Sequence, residues 1–67
     1  MVNKQIICDL LTKTLQATRN HQDLEKIVYN SETEIATLYW EGGGSKAVNV
    51  ALDSGTAMIR DIMRAID

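Results

Sequence analysis

The residue types that most often act as nucleophiles or metal ligands are scarce in this chain. Cys8 is its only cysteine and His21 its only histidine. A structural zinc site normally uses four Cys or His ligands, and a disulfide within the chain needs two cysteines. The sequence therefore predicts no metal site, no cofactor and no internal disulfide. Cys8 stands beside Ile7 and Leu11 in an apolar stripe, so we expect a small buried hydrophobe there.

The segment Leu52-Asp53-Ser54-Gly55-Thr56-Ala57 contains an aspartate in a setting that could support acid–base chemistry. It resembles the short signature around the catalytic aspartate of aspartic proteases, which need two aspartates that share one proton. In that family the signature lies in a loop of an all-β lobe, whereas here an amphipathic helical pattern follows at once. We therefore interpret Asp53 or Ser54 as a helix N-cap and predict that the protein is not an enzyme.

Chain length limits how much apolar surface the protein buries. A chain of 67 residues buries only about 60% of its unfolded surface. Its composition, 45% hydrophobic and 24% charged, is typical of a globular domain. We expect one α+β domain over residues 1–67 with a thin core. Because disulfide and zinc are excluded, self-association is the remaining common source of added stability.

Charge and hydropathy restrict the partners. No apolar run approaches the ~18 residues of a membrane span, and the lone thiol suits a reducing compartment, so a cytoplasmic protein without membrane contact is expected. The net charge of −2 disfavours nucleic acid. The alternative function is weak nucleic-acid binding through a basic face of the first helix, with Lys4, Lys13 and Arg19 as its contacts.

Hydrophobic periodicity predicts helix, two or three antiparallel strands, helix, with both helices on one sheet face. The predicted elements are a helix from Asn3 to Arg19, a short strand at residues 27–29, strands at residues 32–40 and 46–52 joined by Gly42-Gly43-Gly44, and a helix after Ser54. This order resembles that of double-stranded RNA-binding domains. The resemblance implies a basic start to the second helix, which residues 53–58 lack.

The hairpin register decides which side chains face the helices. If the three glycines form the loop, Ala36 lies opposite Val50 and Leu38 opposite Val48, and Trp40 faces the core. A two-residue loop would instead turn Tyr39 inward. We expect the first arrangement, because it collects the largest apolar side chains where helices cover them. The predicted core is then Leu38, Trp40, Val48, Val50, Ile59, Ile62 and Ile66.

The opposite sheet face is predicted to be a contact surface, because it is more apolar than a solvated face needs to be. Its residues are Ile35, Thr37, Tyr39, Ala47, Asn49 and Ala51. Two helices cover one face of such a sheet but not both. The sequence thus predicts a protein–protein interaction or regulatory accessory module that binds itself as a homodimer, or another protein, and has no evident small-molecule site.

Overall fold

The computed structural model describes residues 3–66 of the chain. Its elements are α1 (Lys4–Gln16), β1 (Leu24–Asn30), β2 (Ile35–Trp40), β3 (Ser45–Asn49) and α2 (Gly55–Ile66). The three strands form an antiparallel sheet in the order β1-β2-β3. The predicted α+β class and the α-β-β-β-α order are therefore confirmed.

Helix α1 forms where the apolar spacing predicts it but ends three residues early. The Asn3 side chain accepts a hydrogen bond from the Ile6 amide at 3.1 Å, which caps the first turn. After Gln16 the Ala17 and Thr18 amides bond to carbonyls three residues back, and the Thr18 hydroxyl bonds to the Leu15 carbonyl at 2.6 Å. These tighter bonds replace the α-helical pattern, so the predicted extension to Arg19 is wrong.

Strand β1 is longer than the predicted residues 27–29. It begins at Leu24, and its pairing with β2 is irregular between Leu24 and Lys26. The irregularity lets both Leu24 and Ile27 point into the core, where each is almost completely buried. An odd spacing of three between two inward residues breaks the alternation of a regular strand, which is why periodicity missed the first half of β1.

The β2–β3 hairpin has a three-residue loop, but the loop is Glu41-Gly42-Gly43 and not the three glycines. The Gly43 amide bonds to the Trp40 carbonyl at 3.0 Å, and the Trp40 amide bonds to the Gly44 carbonyl at 2.9 Å. Gly43 has φ +91°. A turn followed by one residue of positive φ needs only one glycine at that last position, so the loop starts one residue earlier than predicted.

This shift changes the β2–β3 register by two residues, and each side chain still points to the predicted side of the sheet. Ala36 lies opposite Val48, and Leu38 lies opposite Lys46, so the predicted pairs Ala36 with Val50 and Leu38 with Val48 are wrong. A shift of two preserves which side each residue occupies, whereas a shift of one would invert it. The prediction that Leu38 and Trp40 point toward the core and Tyr39 away from it is confirmed.

Strand β3 ends before the predicted Leu52. Its last residue is Asn49, whose side chain accepts the Ala51 amide at 2.9 Å and turns the chain. Leu52 is fully exposed in this turn. The predictions that Leu52 points inward from β3 and that Ala51 points outward from it are therefore wrong. The hydrogen bond between the Asn49 side chain and the Ala51 amide ends the strand before either residue.

The core lies between one sheet face and the two helices. It is formed by Cys8, Leu11, Leu15, Leu24, Ile27, Ala36, Leu38, Val50, Met58 and Ile62, with Trp40, Val48 and Ile66 partly buried against it. Ile59 is 38% exposed, so its predicted core position is wrong. Helix α2 follows an N-cap at Ser54, whose hydroxyl accepts the Ala57 amide at 3.3 Å. Among residues 3–66, neither helix has the length and apolarity to cross a membrane.

The loop geometry makes Gly42 and Gly43 a matched pair. Gly43→Ala forces a side chain into the positive-φ region and should cost about 1–2 kcal/mol of unfolding free energy. Gly42 has open space around its Cα and no positive φ, so Gly42→Ala should be neutral or slightly stabilising. Urea unfolding of both variants measures the difference. Equal changes in unfolding free energy for the two variants would contradict the assignment of Glu41-Gly42-Gly43 as the loop.

Candidate interaction surface

The sheet has one face that the helices leave uncovered. Paired residues of an antiparallel sheet point to the same side, so the register defines this surface, here called the outer face. It consists of Lys26, Val28 and Asn30 from β1, Ile35, Thr37 and Tyr39 from β2, and Ser45, Ala47 and Asn49 from β3. Each of these residues is exposed or half-buried, in contrast to the fully buried Ala36 and Leu38 on the inner side of β2.

The largest side chains of the outer face lie on its β1–β2 half. Val28 is 41% exposed and Tyr39 37% exposed. The Lys26 ammonium lies 5.3 Å from the centre of the Tyr39 ring, within range of a cation–π contact. Tyr39 lies opposite Ser45, and Thr37 lies opposite Ala47. The outer face therefore has a high half with Tyr39 and Val28, and a low half along β3 with small side chains.

Five of the six predicted contact residues lie together on the outer face: Ile35, Thr37, Tyr39, Ala47 and Asn49. Ala51 does not, because β3 has already ended. Sequence reasoning missed Lys26, Val28 and Asn30 of β1 and Ser45 of β3. The predicted first strand covered only residues 27–29 and had no assigned partner, so only its observed pairing with β2 reveals which side these β1 residues occupy.

The free edge of β1 is closed by two glutamines from α1. The Gln5 side chain accepts the Tyr29 amide at 2.8 Å and donates to the Ile27 carbonyl at 3.3 Å. The Gln16 side chain donates to the Leu24 carbonyl at 2.7 Å. The Gln5 amide thus makes the two bonds that a neighbouring strand would make, and this edge is protected from further pairing.

The free edge of β3 is not closed by side-chain hydrogen bonds in this way, and its protection is limited to its length of five residues and the charge of Lys46. The Trp40 amide bonds to the Gly44 carbonyl, and the Val50 amide bonds to the Glu34 carbonyl at 3.0 Å. In an antiparallel ladder every second residue faces the neighbouring strand, so residues 44, 46, 48 and 50 face β2. The backbone groups of Ser45, Ala47 and Asn49 then point outward. Among residues 3–66, no side chain takes these groups as the glutamines do on β1.

The three predicted nucleic-acid contacts are not brought together. The Lys4 ammonium donates to the Val50 carbonyl at 2.6 Å and lies 4.0 Å from the Glu34 carboxylate, with its side chain 14% exposed. Lys13 follows nine residues later, which is about two and a half turns and so the opposite side of α1. Arg19 lies beyond the helix. Nucleic-acid binding stays a prediction, and Lys4 instead braces α1 against the end of the sheet.

Two other surface features are weaker candidates for binding sites. A groove of about 420 Å³ lies between α1 and β1, and its lining is Asp9, Thr12, Lys13, Gln16, Glu25, Lys26 and Ile27. Its two acidic and two basic residues give it no net charge to select a ligand. The second feature is the exposed pair Ile6 and Leu10 on α1, at 53% and 59% exposure. Ile6 and Leu10 form a single row along α1, and the charged Asp9 and Lys13 are close by in sequence. This apolar surface is therefore narrower than the outer face.

Cys8 is fully buried in the core, as predicted. Burial, followed by the nearby Asp9 charge, raises the pKa of its thiol to about 11. The thiolate is the nucleophilic form, so this cysteine is unreactive at neutral pH. His21 lies in the loop before β1. Residues 3–66 contain no group of three or more His, Cys, Asp or Glu side chains placed to hold a metal ion.

The aspartate of the protease-like segment has a carboxyl neighbour in the same chain. The Asp53 and Asp61 side chains form a hydrogen-bonded carboxyl pair, which raises the pKa of Asp53 and lowers that of Asp61. Within the described chain, the buried Oδ2 atom of Asp53 has no N–H or hydroxyl donor. The pair joins the loop before α2 to the helix. It lies beside the Ser54 cap and not in a cleft, so its geometry favours a structural role.

No protein-family model, no curated protein and no solved structure matches this chain.

The carboxyl pair predicts an unusual pH response. The raised pKa of Asp53 contributes stability below its unfolded pKa, and this contribution is lost as the pH rises through the folded pKa. The lowered pKa of Asp61 acts in the opposite sense and contributes above the ordinary value. Asp53→Asn supplies a permanent N–H donor to Asp61, so it should raise the thermal midpoint at neutral pH and change it little near about pH 4.

Thermal unfolding followed by circular dichroism across this pH range measures the effect. Asp23→Asn is the control, because Asp23 is an exposed carboxyl outside the pair. A midpoint shift of the same size in both variants, or one independent of pH, would contradict a shared proton.

Proposed function

We propose that the protein is an interaction module that forms a homodimer by packing the outer faces of two copies against each other. The observation that carries the proposal is the set of apolar side chains on the uncovered side of the sheet, where Val28 and Tyr39 are exposed and Ile35 is half-buried. An antiparallel sheet with one solvated face normally shows polar residues there.

The shape of the outer face supports a second copy as the occupant. Tyr39 and Val28 stand on the high half, and Ser45 and Ala47 form the low half. A two-fold axis places the high half of each copy on the low half of the other, so the same patch serves both partners. The Lys26 stem beside the Tyr39 ring adds apolar contact while its ammonium stays at the rim.

The size of the outer face predicts a weak dimer. Six residues of β2 at about 3.4 Å each and three strands spaced by about 4.8 Å give a face of roughly 20 by 14 Å. A standard stable interface buries about 800 Å² on each partner. The outer face falls below that area, so the dimer should form in the micromolar range or above. We propose a cytoplasmic location for this module, on the single cysteine of the chain.

Sedimentation equilibrium over a range from micromolar to millimolar protein tests the dimer. Wild type should pass from 7.5 kDa toward twice that mass. Tyr39→Glu replaces the ring on the high half of the interface with a carboxylate and should weaken association by about a hundredfold or more, because taking a charge out of water costs several kcal/mol even beside Lys26. The variant should keep the fold, because Tyr39 does not contribute to the core.

Leu10→Glu is the matched control. It puts the same charge at an exposed apolar residue of α1, away from the outer face. Association that survives Tyr39→Glu and fails in Leu10→Glu would assign the interface to α1 and reject the outer face. A constant mass of 7.5 kDa at every concentration would reject the homodimer.

A further inference from the structure

The two edges of the sheet differ in a way that points to a second binding surface. Gln5 and Gln16 close the β1 edge with side-chain hydrogen bonds, whereas the outward backbone groups of Ser45, Ala47 and Asn49 have no partner within residues 3–66. We propose that the β3 edge binds an extended acidic segment of a partner polypeptide as an added strand. The proposal concerns the edge and does not depend on the homodimer through the outer face.

The side chains along β3 fit an added strand. Ser45, Ala47 and Asn49 are small or short and exposed, so a neighbouring backbone can approach to the usual strand spacing of about 4.8 Å. Peptides that join a sheet edge gain affinity from main-chain hydrogen bonds and gain specificity from alternate side chains. On β3 the alternate positions that face the helix side include Lys46 and Val48.

Lys46 supplies the charge preference. It is the second residue of the edge strand, is exposed, and has no carboxylate within 4.0 Å among the described residues. Helix α2, which packs against β3, carries the exposed Arg64, and its Arg60 pairs with Asp61 at 3.4 Å. An acidic side chain opposite Lys46 forms a cross-strand ion pair, whereas a basic side chain there is repelled.

The same lysine argues against a second copy at this edge. A symmetric β3–β3 pair centred on Ala47 brings the two Lys46 side chains to diagonal positions on one face, and a register one step away places them directly opposite each other. Like charges at such positions are destabilising. The β1 strand of another copy carries no net charge, with Glu25 beside Lys26, and its edge is occupied by Gln5 and Gln16. An acidic strand from a different polypeptide therefore fits this edge better than a second copy does.

A defined peptide tests the edge without knowledge of the natural partner. The probe is an acetylated, amidated peptide of alternating threonine and glutamate, titrated to millimolar concentration into ¹⁵N-labelled full-length protein. The expected result is chemical-shift change at the amides of residues 45–49 and slower hydrogen exchange at the Ala47 and Asn49 amides. A matched peptide with lysine in place of glutamate should bind at least about tenfold more weakly.

Two variants separate edge pairing from general charge attraction. Lys46→Glu should weaken binding of the acidic peptide by about tenfold or more. Lys13→Glu makes the same charge reversal on the exposed side of α1 and should leave that binding unchanged. Ala47→Pro removes an outward N–H and keeps the ladder with β2, since an edge strand tolerates proline on its free side. It should abolish the shifts with the fold retained by circular dichroism.

The proposal is overturned if residues 45–49 show no shifts at millimolar peptide. It is also overturned if the lysine peptide binds equally well, if Ala47→Pro binds as wild type does, or if the shifts are larger on β1 and β2 than at residues 45–49.

Discussion

A three-stranded sheet with only two helices has one face that its own chain does not cover. Both helices pack on the same side because the core residues of α1, α2 and all three strands form one cluster there. Every other feature of the molecule follows from this constraint. The core is thin, the outer face remains exposed, and stability depends on how the helices are fixed to one side of the sheet.

Polar contacts do much of this fixing, and they also decide which surfaces stay available. Gln5 and Gln16 attach α1 along β1, and Lys4 attaches its N-terminal end to the Val50 carbonyl. Glutamine and lysine usually lie on protein surfaces, but here their side chains form hydrogen bonds that hold α1 to the sheet and to the residue after β3. Lys4 is therefore no longer a candidate nucleic-acid contact, and the β1 edge is no longer a candidate for strand pairing. The outer face and the β3 edge remain available.

Hydrophobic periodicity predicted the order of the helices and strands well, and local hydrogen bonds limited how accurately it predicted their ends. The stripe of α1 and the alternation of residues 46–52 supported the element order, and the three-residue hairpin loop gave the inward set of Leu38 and Trp40. The errors occur where single hydrogen bonds override the pattern. Asn49 ends β3 early, and Gly43 takes the positive φ of the hairpin. The irregular start of β1 likewise hid Lys26 from the predicted surface.

The candidate surface was predictable in composition but not in extent. Five of its predicted residues share one face because the register error was an even number of positions, which preserves the side of every residue. The edge asymmetry had no sequence signal, since the pairing of Gln5 with Tyr29 joins residues far apart in the chain. Such contacts depend on how α1 crosses the sheet, which periodicity does not specify.

The most direct test of the central claim is an isotope-filtered nuclear Overhauser experiment on an equal mixture of ¹³C-labelled and unlabelled wild-type protein at millimolar concentration. This measurement detects only contacts between different copies. The account predicts cross-peaks between the Tyr39 ring of one copy and the Ala47 methyl of the other. Intermolecular cross-peaks confined to Ile6 and Leu10, or none at all, would contradict it.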